Sequence, residues 1–253
     1  PAAPAAAGDI LPVSLFWQTD EVPAIRWKVF LQVLDAGSHI VGQRDAEPLS
    51  GAVPTTDWSP GQTYEDHHGV LIEPGTPPGT YMLIAGMYDP ATGARAAVRE
   101  TGETFVRLGS VKVSRPARPL PVGAVQPMFP ARVVLGPLTF LGYDRHALGG
   151  ERRDVPIPAG TPLHAALYWQ AQEHPAGIWR FQLWVDDALW VDWTPLGGSF
   201  TTDQWSAGDL IRDQVDGFLP AGLSRGRHRL RAVLRVEGGR EDIRLELGYF
   251  QVR

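Results

Sequence analysis

Cysteine is missing from all 253 residues, so neither disulfides nor thiolate metal sites can hold this chain together. Asparagine is missing too, which excludes N-linked glycosylation. Lysine occurs only as Lys28 and Lys112, and arginine carries nearly all the positive charge. Loss of the thermolabile Asn and Cys suits a thermophilic or high-GC source, whereas the shortage of Lys runs against the hyperthermophile pattern. No run approaches the roughly 18 apolar residues of a membrane helix, and no basic segment leads into an apolar one as a secretory leader would. Excess positive charge is also lacking: the net charge of −5 gives no general reason to bind nucleic acid or an anionic membrane.

What is present is turn chemistry and short apolar runs. Gly (28) and Pro (23) punctuate stretches rich in Val, Leu, Trp and Tyr, and no long helical period interrupts them. Val13, Leu15 and Trp17 alternate with Ser14 and Phe16, and Val29, Leu31 and Val33 with Phe30 and Gln32. This is the period of strands with one buried face.

The chain also repeats itself. Leu11, Leu15, Phe16, Trp17, Gln18, Pro23 and Trp27 return 152 residues later as Leu163, Leu167, Tyr168, Trp169, Gln170, Pro175 and Trp179. Trp58-Ser59-Pro60-Gly61, Asp66 and Gly79 return 147 residues later as Trp205-Ser206-Ala207-Gly208, Asp213 and Gly226. Leu108-Gly109 returns 139 residues later as Leu247-Gly248. Order is kept while the offset shrinks, as in two copies of one fold that have lost loop residues at different places.

The expected architecture is therefore all-β: two tandem antiparallel β-sandwiches, Ig-like or jelly-roll-like, related by an internal repeat. Residues 1–8, all Pro, Ala and Gly, read as a linker to something upstream; 9–113 form repeat 1; 114–130 form a Pro-rich linker; and 131–253 form repeat 2. Repeat 2 opens with Val133, Val134 and Leu138 to Tyr143, a strand pair for which repeat 1 has only its Pro/Ala tail. Repeat 1 is thus expected to lack its first strand, either because the chain is a fragment or because another segment supplies the missing edge.

A set of motifs carries a resemblance: Leu15-Phe16-Trp17-Gln18, Asp45 before Pro48, Pro54-Thr55 before Trp58-Ser59-Pro60-Gly61, Asp66, Pro77-Pro78-Gly79-Thr80-Tyr81, and Gly86-Met87-Tyr88-Asp89-Pro90 before Thr92-Gly93. Together they resemble the β-sandwich modules C-terminal to multi-pass membrane glycosyltransferases of the protein-mannosyltransferase-like type, common in Chloroflexi-like bacteria. Leu141-Gly142-Tyr143-Asp144, Leu167 to Gln170, Trp205 to Gly208 and Asp213 extend the resemblance to repeat 2, which departs from it in the Asp45-to-Pro48 and Tyr88-Asp89-Pro90 segments. The catalytic acids of those glycosyltransferases sit among membrane helices, so no catalytic role transfers. The resemblance implies an extracytoplasmic accessory module, at the cell surface or secreted, beside a membrane protein and near glycan.

Residues shared by the repeats are expected to build the fold: Trp17, Trp27, Trp169 and Trp179 as core, and Trp58 and Trp205 as plugs at the sandwich ends. Trp184, Trp190 and Trp193 have no aromatic counterpart in repeat 1, and they stand beside Asp186, Asp187 and Asp192. They are the candidate carbohydrate-binding residues, flat apolar faces for a sugar ring with polar groups for its hydroxyls. Packing under protein is the competing reading of the same three.

His67-His68 beside Asp66 invites a metal reading, but neighbours on a strand point to opposite faces. No metal or cofactor is expected. Asp20-Glu21, Asp45 with Glu47, and Asp186-Asp187 suit turns better than a calcium loop. No nucleophile elbow, P-loop or dinucleotide glycine pattern occurs, so no catalytic residue is nominated and no enzymatic activity is expected. Two functional readings stay open: a non-catalytic accessory module with glycan as its ligand, and a structural subunit of a surface layer, filament or complex that works by packing on protein.

Overall fold

The computed structural model describes residues 5–150, 152, 154–239 and 242–253. The chain divides into two compact units, Pro1–Pro116 and Ala117–Arg253. Among the described residues every regular element is a strand or a short 3-10 turn, so the chain is all-β, and no helix is long and apolar enough to cross a membrane.

Unit 1 contains β1 (Ala5–Ala6), β2 (Ile10–Gln18), β3 (Lys28–Leu34), β4 (Ile40–Ala46), β5 (Thr63–Ile72), β6 (Gly79–Tyr88) and β7 (Val106–Ser114). Alternation is cleanest in β5, whose ten residues switch between exposed and buried without a break and put Tyr64, Asp66, His68, Val70 and Ile72 inside. Leu11, Leu15, Val29, Leu31, Val33, Val41, Val70, Ile72, Ala85 and Val113 meet there as one core.

The strands form one seven-stranded sheet in the order β1-β7-β6-β3-β4-β5-β2. It nearly closes on itself, because β1, at one end of the order, runs straight on into β2 at the other. Within that sheet β4 is joined to β5 by the pairing of Gly42 with Ile72 and Gln43 with Leu71. A Cβ on Gly42 would stand 2.6 Å from the Leu71 carbonyl oxygen, so this approach needs a glycine.

The opening Pro/Ala segment differs from the expected linker. Pro1 to Pro4 lie outside the described residues, but Ala5 and Ala6 pair in parallel with Val113 and Ser114, and Ala5 and Ala7 are buried. The chain then turns at Gly8, in the left-handed region at φ 88°. Small side chains let the backbone reach the sheet, so composition that suits a tether also suits a tightly packed edge.

Unit 2 contains β8 (Phe129–Leu135), β9 (Leu138–Ala147), β10 (Pro162–Ala171), β11 (Trp179–Val185), β12 (Ala188–Trp193), β13 (Leu210–Phe218), β14 (Gly226–Val236) and β15 (Asp242–Val252). They form two four-stranded sheets, β13-β10-β9-β8 and β12-β11-β14-β15. Both sheets contribute to one core, in which Phe140, Trp169, Phe181 and Trp193 follow one another at centroid spacings of 5.0, 4.9 and 5.8 Å. Each such aromatic pair contributes about 0.5–1.5 kcal/mol beyond the area it buries.

The Pro-rich stretch expected as a free linker is not bare at its unit 2 end. Leu120, Val122, Ala124 and Val125 pack on Leu141, Ala166, Tyr168 and Leu210, covering the outer face of the β10 sheet. Asp144, 2 % exposed, fixes that cover: it accepts hydrogen bonds from the Met128 amide at 2.5 Å, Arg152 at 2.7 Å and the Tyr168 hydroxyl at 2.8 Å.

Candidate functional site

The polar residues that recur along the sequence are buried fasteners. In unit 1, Asp66 is fully buried and accepts three hydrogen bonds: from Trp17 Nε1 at 3.0 Å, His68 Nε2 at 2.8 Å and the Leu49 amide at 2.8 Å. In unit 2, Asp213 is fully buried and accepts from Trp193 Nε1 at 2.9 Å and the Leu196 amide at 2.9 Å. Leu49 and Leu196 both sit in the left-handed region, at φ 55° and 56°. A branched side chain there costs about 1–2 kcal/mol. The charge-assisted bond to its amide offsets that cost.

Thr55 and Thr202 act alike. Their hydroxyls accept from the Trp27 and Trp179 amides, each at 2.9 Å, and donate to the carbonyls of Ile25 and Gly177. Trp58 and Trp205 are buried, and their indoles donate to the Val53 and Phe200 carbonyls, each at 3.1 Å. All of these groups are spent on holding loops against strands. Trp169 and Trp179 lie in the core as expected, whereas Trp17 and Trp27 are only half-buried.

The three candidate sugar-binding tryptophans do not form an open platform. Trp193 (8 % exposed) and Trp190 (7 %) belong to the core of unit 2, Trp193 through its bond to Asp213 and Trp190 against Gly217. Only Trp184 keeps part of its surface, with its indole donating to Gln182 Oε1 at 3.0 Å beside the Arg180–Asp192 pair. The physical reason is a bulge. Leu183 pairs with Val191 and Trp184 with Leu189, so Trp190 is an extra residue in β12, and positions 190 and 193 both turn inward where strict alternation would separate them.

The acidic and histidine clusters are likewise engaged. His67 and His68 point to opposite faces of β5, His67 exposed and within 2.9 Å of Ser14 Oγ, His68 buried on Asp66. Glu47 takes the Arg26 guanidinium at 2.6 Å. Burial raises the pKa of Asp45 against the pull of Lys28, Arg95 and Arg44. Asp186 Oδ2 meets His228 Nδ1 at 2.7 Å, while His228 Nε2 meets the Ser224 carbonyl at 2.8 Å. Both partners of that imidazole are acceptors, so it donates from both nitrogens as the cation. Its hydrogen bond to Asp186 accordingly raises its pKa, and the same bond lowers that of Asp186.

Two shallow recesses lie among the described residues. One of about 460 Å³ is lined by Asp154, Arg227, Tyr249 and Gln251, with Arg227 stacked 4.0 Å over Tyr249. The other, of about 350 Å³, is lined by Arg26, Lys28, Arg44 and Glu47.

Exposed apolar side chains also lie along β2. Ile10 is 68 % exposed and Phe16 65 %, with Leu71 of β5 beside Ile10 at 46 %. Among the described residues, β2 pairs only with β5 and ends the sheet. In unit 2 the counterpart of Phe16 fares differently: Tyr168 of β10 is 5 % exposed, beneath the 120–125 segment, and β10 is paired on both edges, whereas Phe218, the counterpart of Leu71, is 71 % exposed. Sequence reasoning had pointed at this place through the missing first strand, but not at Phe16, whose neighbours Leu15 and Trp17 drew attention to the inner face. No protein-family model matches the chain, and no curated protein is significantly similar to it.

Proposed function

We propose that the chain is a non-catalytic packing module: two β-sandwiches of one ancestral design, the first a sandwich whose layers have fused at Gly42, that act by contact with protein. The observation that supports this is the outward face of β2, where Phe16 is 65 % exposed at the position that unit 2 buries as Tyr168, 5 % exposed, and where the strand edge is unpaired among the described residues. An unpaired strand edge that also bares an apolar side chain is a ready template for another strand. The motif resemblance adds the setting, an extracytoplasmic accessory module beside a membrane or cell-surface protein. The glycan reading loses its platform with Trp190 and Trp193 in the core.

The reading is tested by titrating the full chain with a panel of soluble polysaccharides and lipid-linked sugars while following tryptophan fluorescence. A flat response across the panel is expected. A saturable response that disappears in Trp184→Ala would overturn the packing reading in favour of sugar binding.

A further inference from the structure

We infer that the open edge and outward face of β2 form a docking site for a β-strand of another polypeptide, laid antiparallel along Ser14–Gln18 as β9 is laid along β10. The inference deepens the packing reading and rests on it. The two edges carry almost the same sequence, Leu15-Phe16-Trp17-Gln18 and Leu167-Tyr168-Trp169-Gln170. In unit 2 that edge holds β9, with Leu167 opposite Tyr143, Trp169 opposite Phe140 and Gln170 opposite Thr139. Phe140 lies 5.0 Å from the Trp169 ring, which is fully buried. Trp17, which faces Tyr64 of β5 but no strand on its other side among the described residues, is half-buried, and Phe16 is 65 % exposed where Tyr168 is 5 %. The exposure on β2 is thus the exposure β10 would have without β9 and the segment before it.

The backbone fixes how far a strand can extend. Ile72 donates to the Asp9 carbonyl and Gly61 to the Thr19 carbonyl, so odd-numbered residues of β2 direct their polar groups at β5 and even-numbered ones direct theirs outward. Ser14, Phe16 and Gln18 therefore offer free ladder positions, whereas Pro12, which stands where β10 has His164, has no N–H to give. Docking is confined to Ser14–Gln18. The side-chain chemistry of the occupant follows as well. Tyr168 donates its hydroxyl to Asp144 of β9, but Phe16 has no hydroxyl, so the docked strand carries an apolar residue where β9 carries Asp144, and an aromatic residue over Trp17. A second copy of this chain cannot supply its own β9, which is paired on both sides.

The test uses the full chain and a synthetic peptide of the β9 sequence, 138–147, carrying Asp144→Leu. Hydrogen exchange at Ser14, Phe16 and Gln18 is expected to slow about tenfold at about 1 mM peptide. Phe16→Lys, which removes the apolar cover, and Ser14→Pro, which removes an outward N–H, are each expected to abolish the protection without unfolding the chain. Absent protection at these amides, or protection that survives both variants, overturns the inference. So does concentration-dependent self-association of the chain alone that protects the same amides, since the occupant would then be a second copy. A flat sugar titration together with an unprotected β2 would sink the docked strand and leave the packing reading standing.

Discussion

Asp66 shows what single residues do in this protein. Its fully buried carboxylate ties together half-buried Trp17, buried His68 and a left-handed Leu49. Removing the acceptor leaves three donors without their partner, that of buried His68 among them, so Asp66→Ala is expected to destabilise unit 1 by about 3 kcal/mol, measured by denaturant unfolding. A loss below about 1 kcal/mol would mean that water reaches the site. His228 gives a pH signature. Its folded pKa is raised, so its contribution is fully present below the unfolded value of about 6.5 and is lost as pH rises through the folded value. The pKa of Asp186 is lowered, so its contribution is present above about 3.8 and is lost as pH falls through the folded value. Between those limits unit 2 should show a stability plateau in thermal scans against pH, and His228→Gln should flatten the fall on its alkaline side. Asp66 was legible in the sequence as a repeated position. Its role was not, because a hydrogen bond to the amide of a loop residue 17 positions away leaves no local pattern.

At the level of elements, most strands could be read from period-two alternation, and the misreadings occur where that period breaks. The bulge in β12 shifts Trp190 out of step, so Trp190 and Trp193 share the inner face although three positions apart. Gly42 is a second such place. Its missing side chain admits the Leu71 carbonyl and joins β4 to β5, whereas position 189, 147 residues on, is a leucine and the sheets of unit 2 stay separate. Gly42→Leu is therefore expected to break that pairing at a cost of about 2 kcal/mol, with faster hydrogen exchange at Gln43 and Leu71. Unchanged exchange there would show that the junction tolerates a side chain. Gly86 and Phe30 form a comparable pair: a Cβ on Gly86 would stand 2.3 Å from the Phe30 ring, which Arg95 covers at 4.3 Å. The 147-residue counterpart of Gly86 is Val233, and the 152-residue counterpart of Phe30 is Gln182, so the small and large residues are exchanged together.

For the molecule as a whole, each unit carries its own core, around Leu31 and Val70 in one and Trp169 and Phe181 in the other. Trp169→Ala, which removes the centre of the aromatic series, is expected to cost unit 2 about 3–5 kcal/mol and to collapse its exchange protection. Protection of Val29, Leu31 and Val33 in unit 1 should persist. Simultaneous loss in both units would show that they unfold as one.

Composition and periodicity by themselves determined that the chain is all-β, that it has no disulfide or thiolate site, and that its second half echoes its first. These properties depend on residue type and on spacing along the chain. The tertiary structure alone decided which tryptophans reach solvent, that Ala5 and Ala6 pair with β7, and that Phe16 stands bare while Tyr168 is covered. Each of these depends on what another segment, distant in sequence, brings to or withholds from the same sheet, and a strand pattern records only which side a residue faces, not whether anything lies against it.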